Sequence, residues 1–279
     1  NSGSINRFEV SGTIAQGIIN NDNASISSIT IKEGANLGSN GITNHSNIGS
    51  LIVNESVKYN GNGSDRITQA LEVAKDKTLT IGNNGTLSFN SKNGSVNNLG
   101  TIAGNLANVS NSTLGTFINS GTITGDLYND GHIDTLHNTG TMGTIYNRSK
   151  NTIKELRNDK NSVIAEIDNS NGRYDTLQNY GTITGNINNN NGTITNLVNT
   201  NSGTITGQII SNSSSNSENN YIGTIINEGV INSSHTMNDS DIQNASNDAI
   251  SLNTITNVVT AIANSGSING NVRVAGNSE

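Results

Sequence analysis

The chain contains no cysteine, no proline and no tryptophan. Without cysteine there can be no disulfide, thiolate-held zinc, iron–sulfur cluster or thiol catalysis. The same absence suits a protein that must stay unfolded while it crosses an oxidising space. Missing proline fits a sheet in which every strand is central, because such strands cannot spare a main-chain N–H. Aromatic residues make up 3%, charged residues 13% and hydrophobic residues 31%. An enzyme of this length normally carries a larger apolar share. Taken alone, the apolar poverty points to disorder. The low charge argues against a polyelectrolyte, however, and the apolar residues keep regular spacing. No apolar run approaches the roughly 18 residues that a membrane-spanning helix needs. A net charge of −7 and a pI near 5.0 weigh against a nucleic-acid partner, which calls for a basic stripe. No signal peptide is visible, and both ends read as cuts from a longer repeat, since Asn1-Ser2-Gly3-Ser4-Ile5-Asn6 already follows it.

What is abundant is Asn, 54 of 279 residues, together with 31 Gly. Both residue types tolerate the left-handed backbone of tight turns. From residue 99 the pattern is plain. Gly121-Thr122-Ile123-Thr124-Gly125-Asp126-Leu127-Tyr128-Asn129 is one unit, Gly131-His132-Ile133-Asp134-Thr135-Leu136-His137-Asn138 the next, and Gly140-Thr141-Met142-Gly143-Thr144-Ile145-Tyr146-Asn147 a third. Each has a turn-forming Gly, two apolar residues and a closing Asn. In a long form the apolar pair is four apart, as in Ile102/Leu106, Ile123/Leu127, Ile183/Ile187, Ile205/Ile209 and Ile268/Val272; in a short form it is three apart. The long-form glycines Gly12, Gly100, Gly121, Gly181, Gly203 and Gly266 follow one another at gaps close to one, three or four lengths of a common period. Two units of about ten residues therefore make one coil of about twenty-one.

This phase-locking predicts an all-β fold, a right-handed parallel β-helix (solenoid) of about thirteen coils, on the order of 60 Å long at ~4.8 Å per coil. A single β-helix over residues 1–279 is expected, with protruding loops at 211–220 and 233–248, where Ser, Asn and acidic residues crowd together. Ser64 to Lys77 reads either as a short helix capped by Ser64 or as strand and turn, and the strand is preferred. Ile123, Gly125 and Leu127 are expected to alternate inward along one strand. Ile133, Leu136, Ile183, Ile187, Ile205 and Ile209 complete the expected core. Asn129, Asn138, Asn147, Asn158, Asn169 and Asn179 are candidates for an interior ladder, each amide bonded to the Asn one coil away and to turn backbone.

Clustered carboxylates on a β-helix can cleave polysaccharides, which makes Asp126, Asp130 and Asp134, with His132 and His137 nearby, a weak catalytic candidate. Solvated turn and outer-strand residues are the simpler account of them. Neither a basic cluster nor an aromatic platform accompanies them. Calcium-binding turns would need Gly-Gly-x-Gly-x-Asp, which no unit supplies. Asn238, Asp239 and Asp241 form only a local oxygen cluster, and the four His show no metal spacing. No cofactor is expected. Outward Thr-x-Thr pairs (Thr122/Thr124, Thr182/Thr184, Thr204/Thr206) suggest an ice-binding array, but intervening coils offer Thr141 with Gly143 and Ser162 with Ile164, which breaks the ranks.

The phrases Asn119-Ser120-Gly121-Thr122-Ile123-Thr124-Gly125, Asn179-Tyr180-Gly181-Thr182-Ile183-Thr184-Gly185 and Asn264-Ser265-Gly266-Ser267-Ile268-Asn269-Gly270 resemble passenger domains of Gram-negative (type V) autotransporters. The resemblance covers nearly the whole chain and concerns the architecture. It implies a secreted or surface-displayed β-helix, attached to the outer membrane through a C-terminal barrel that is missing here. It also implies an adhesin or self-association role in host colonisation, with a host cell-surface or matrix protein, a glycan, or another copy as partner. A toxin-like passenger that oligomerises on membranes is one alternative, with Ile250 to Ile262 as its amphipathic candidate. A polysaccharide-cleaving enzyme is the other.

Overall fold

A computed structural model describes residues 1–82, 85–212, 221–233, 247–253 and 261–275. Among the described residues every regular element of two or more residues is a β-strand, and every strand-to-strand register is parallel. The fold is a parallel β-solenoid whose coils repeat about every twenty-one residues. Among the described residues no helix is long and apolar enough to cross a membrane. The chain divides into two compact units, one of Asn1–Ile133 with Gly140–Gly143, the other of Asp134–Thr139 with Thr144–Glu279.

In the first unit one apolar column runs Phe8, Ile29, Leu51, Leu71, Val96, Phe117, with one residue from each coil. A second runs Val57, Leu79, Ile102, Ile123, and a third Leu87, Leu106, Leu127. In the second unit Leu156, Leu177, Leu197 and Ile225 share one column; Ile164, Ile183, Ile205 and Ile231 share another; Ile167, Ile187, Ile209 and Ile250 share a third. Nearly all of these side chains are inaccessible to water, including Ile123, Leu127, Ile183, Ile187, Ile205 and Ile209; Ile133 and Leu136 are equally buried. Burial of each such side chain stabilises the fold by roughly 1.5–3 kcal/mol.

Spacing within a unit follows from where the backbone bends. In Thr152–Asn158, Arg173–Asn179 and Tyr221–Asn227 the second, fifth and seventh residues point inward. The two adjacent outward residues, such as Lys154 and Glu155, mark a bend, and this produces the apolar pair three apart. The long form differs from the continuous alternation expected of it. Thr122–Ile123 and Leu127–Asn129 are separate strands, and Thr124 to Asp126 turn a corner between them. Only glycine fits that corner, since a Cβ on Gly125 would stand 2.3 Å from Asn105 Oδ1 and 2.5 Å from the Gly104 carbonyl.

Arg66–Val73 is a strand in register with Asn47–Val53, so the helical alternative for residues 64 to 77 is excluded. This strand turns Ile67, Leu71 and Val73 into the solenoid core and leaves Ala70 partly exposed. The sequence step from Ile209 to its register partner Ile250 is nearly twice that from Ile187 to Ile209. The surplus falls in the coil that holds residues 213–220 and 234–246, which lie outside the described residues, as do most of both expected loops. At their margins Ser211 and Asn212 close the strand Ile209–Asn212, Ser233 is buried, and Asp248 opens the strand Asp248–Asn253.

Candidate functional site

The interior polar ladders are the most elaborate chemistry of the chain. In the first unit Asn98 Nδ2 donates to Asn119 Oδ1 at 2.7 Å, and Asn108 Nδ2 to Asn129 Oδ1 at 2.8 Å. In the second, Asn138 donates to Asn158, Asn158 to Asn179, Asn179 to Asn199 and Asn199 to Asn227, at 2.8–2.9 Å. A parallel column runs Asn147, Asn169, Asn189 and ends on the Ser211 hydroxyl. Most of these amides give their second proton to a main-chain carbonyl past the turn of the next coil, Asn158 to Thr182 O, Asn179 to Thr204 O and Asn169 to Thr193 O, while Asn189 gives it to Gly192 O in its own turn. All six Asn picked from the sequence are fully buried, and Asn98, Asn108, Asn119, Asn189, Asn199 and Asn227 join them.

The ladders are directional, because every amide donates toward the next coil. Two opening members in the first unit therefore keep a carbonyl that nothing serves. Asn98 Oδ1 and Asn108 Oδ1 are buried without a partner, since the preceding coil presents Val73 and Phe89 there. Nearer the N-terminus the ladder runs Asn1, Asn20, Asn44 and then changes chemistry. Asn44 Nδ2 donates to the Tyr59 hydroxyl at 2.8 Å, and that hydroxyl donates to Asp65 Oδ2 at 2.6 Å. Burial, reinforced by the Asp65 charge, pushes the Tyr59 phenol well above its ordinary value. No repeat pattern reveals this Tyr–Asp corner, since Gly61 stands at the Asn44 position and Tyr59 reaches it from the apolar column of Ile42 and Ile81.

Outside, charges pair across one coil. Glu55 accepts from the Gly34 and Ser56 main-chain N–H groups, at 3.0 Å each, and from Lys77 at 3.1 Å; together these hold its carboxyl at about 2. Lys32 meets Glu9, Lys154 meets Asp134 and His137 meets Asp159, at sequence separations of 23, 20 and 22. Lys and acidic residues one coil period apart, as in Lys32/Glu9 and Lys154/Asp134, are a signal in the sequence that a search for motifs passes over. Burial works to raise Asp159, yet hydrogen bonds from Arg157 and His137 hold it below the usual carboxylate range. The Arg157 guanidinium also lies over the Tyr180 ring, 4.6 Å from its centre.

Asp126 and Asp130 belong to the first unit and Asp134 to the second. Asp126 and Asp130 flank the strand Leu127–Asn129, so at a strand's rise their Cα atoms stand ~13 Å apart. The Asp126 carboxylate lies 3.4 Å from the Tyr128 hydroxyl, and Asp134 is taken by Lys154. Among the described residues no group of three His, Cys, Asp or Glu could hold a metal ion.

Outward Thr ranks are in register. Thr78, Thr101, Thr122 and Thr141 stack in the first unit, and Thr182 stands beside Thr204 in the second. The neighbouring rank is incomplete, as Ala103 sits opposite Thr80. Ile164 is no part of such a rank, being buried against Ile183; the outward residue there is Val163, opposite Thr182. Comparison with family models, curated proteins and solved structures finds no match to this chain.

Proposed function

We propose that this chain is an adhesive β-solenoid, displayed or secreted as an autotransporter passenger, that binds a host-surface or matrix protein or glycan, or another copy of itself. The observation that carries the reading is the outer surface of the coils. Short strands present Thr, Asn and charged side chains in register from coil to coil, as in Thr78–Thr101–Thr122–Thr141. Repeated at ~4.8 Å, such ranks offer many weak hydrogen bonds at once, which favours avidity over a single deep pocket. The absence of cysteine and the Asn-Ser-Gly-x-Ile phrases fit secretion of this kind.

Purified chain on multivalent beads tests it, against epithelial cells, matrix proteins and a glycan array. Retention above that of beads carrying an unrelated acidic protein is expected. It should fall at least severalfold when Thr78, Thr101, Thr122 and Thr141 are all replaced by Glu. No retention on any surface or on chain-coated beads overturns the reading.

A further inference from the structure

The buried Tyr59–Asp65 link borders an exposed turn whose atoms are placed for a reaction of the chain with itself. Asn62, Gly63 and Ser64 are exposed, while Gly61 and Asp65 on either side are buried. Asn62 Oδ1 accepts two main-chain N–H groups, from Ser64 at 2.9 Å and from Asp65 at 3.1 Å. The Gly63 N–H donates to Asp65 Oδ1 at 2.9 Å. Asp65 is held in turn, since its other oxygen accepts from the Tyr59 hydroxyl at 2.6 Å. Arg66 fastens the same turn by donating to Gly63 O at 2.9 Å and to Asp65 O at 2.6 Å. Gly63 sits at a φ of +86°, which favours glycine there.

The main-chain nitrogen that follows an asparagine can attack that residue's own side-chain carbon. The attack needs a base for the nitrogen's proton, donors for the oxygen that gains negative charge, and an unscreened nitrogen. Asp65 places a carboxylate oxygen on the Gly63 N–H, where a general base must stand. The Ser64 and Asp65 N–H groups already point at Asn62 Oδ1, as donors of an oxyanion hole do. Gly63 has no side chain to screen its nitrogen. Other Asn-Gly steps lack this arrangement: Asn60 is buried with its amide given to Asn40 O, and the Gly41 N–H is spent on Leu37 O. We infer that Asn62 is a self-modification site served by Asp65. Gly63 N bonds to Asn62 Cγ, the Cγ–Nδ2 bond breaks, and ammonia leaves with the proton that Asp65 relays from Gly63 N. Water then opens the cyclic imide at either carbonyl and leaves aspartate or isoaspartate at position 62. Either product sets a second carboxylate beside Asp65, and isoaspartate also lengthens the main chain by one carbon. Both changes act on the Tyr59–Asp65 link that receives the Asn44 amide. The inference rests on the geometry of this turn and does not depend on the adhesive reading.

Incubation of the whole chain in warm neutral buffer, with peptide mapping by mass spectrometry at intervals, tests it. The map reads amide loss and isoaspartate at each Asn-Gly step. Asn62 is expected to convert severalfold faster in the folded chain than in the same chain held in guanidinium chloride, whereas buried Asn60 should convert more slowly when folded. Asp65→Asn keeps an acceptor for the Gly63 N–H but removes the base, and should slow the folded-state reaction about tenfold or more. Circular dichroism establishes that this variant is folded; should it fail to fold, the comparison of folded and denatured parent chain decides alone. A folded-state rate at Asn62 no higher than the denatured rate overturns the inference. So does a folded Asp65→Asn chain that converts as fast as the parent, and so does conversion to aspartate without isoaspartate, since the cyclic imide must give both.

Discussion

A buried side-chain amide is expensive unless both its protons and its carbonyl are used. Here the coil below supplies a donor and the coil above two acceptors. Asn158 accepts from Asn138 and gives to Asn179 and Thr182. Its replacement by alanine takes a partner from Asn138, Ser162, Asn179 and Thr182, at a cost of about 2–4 kcal/mol. Asn98 heads its ladder with a carbonyl already unserved, so Asn98→Ala merely moves that defect to Asn119 and should cost less; urea titration of the two variants measures the difference. The two interior tyrosines give an opposed pair. Tyr59→Phe removes a hydroxyl that joins Asn44 to buried Asp65 and should destabilise by about 2 kcal/mol or more. The Tyr174 hydroxyl is fully buried with no partner, so Tyr174→Phe should be neutral or stabilising. Glu55 supplies a pH signature. Its folded value of about 2 lies below the ordinary 4.5, so its contribution is complete above about 4.5 and is lost as pH falls toward 2. In acid titrations Glu55→Gln should lower stability at neutral pH and flatten the decline over that window.

At the scale of the strand and corner, glycine acts by absence of bulk. Gly203, Gly229 and Gly266 stack so closely that a Cβ on Gly229 would lie 2.2 Å from the Gly203 carbonyl, while one on Gly12 would meet nothing within 4 Å. Gly229→Ala should force the coils apart and lower the melting temperature by several degrees. Gly12→Ala should leave it unchanged or raise it slightly, by removing freedom from the unfolded chain. The coil period was legible because each coil repeats the same demands, with apolar residues inward, Asn at the bend and glycine at the close approach. The corner at Gly125 was not, since Ile123-x-Gly125-x-Leu127 has the period of a continuous strand and only packing against Gly104 and Asn105 reveals the turn. Left-handed turns were anticipated from the Asn content, and Asn111 and Asn161 do adopt positive φ in turns closed by Ser112 N to Val109 O and Ser162 N to Asp159 O. Most buried Asn serve the ladders instead, so one composition signal carried two roles.

Within each unit the strand registers and the Asn ladders join neighbouring coils, which is why stability can be written largely as nearest-neighbour terms. Function was less legible than fold. A repeat marks its core by periodicity, whereas the surface proposed to be adhesive consists of ordinary Thr and Asn that only the register brings into ranks. The chain has no cysteine of its own, so introduced pairs report register cleanly. Thr176 and Asn196 face each other across one coil step, and their outward side chains sit at a separation a disulfide can bridge. Stacked coils predict rapid, near-complete oxidation of a Thr176→Cys/Asn196→Cys chain with its melting temperature kept or raised, and little oxidation of Thr176→Cys/Val198→Cys, two residues out of step. Equal oxidation of both pairs, or none in the first, would contradict the stacked register on which the fold, the ladders and the outer ranks all depend.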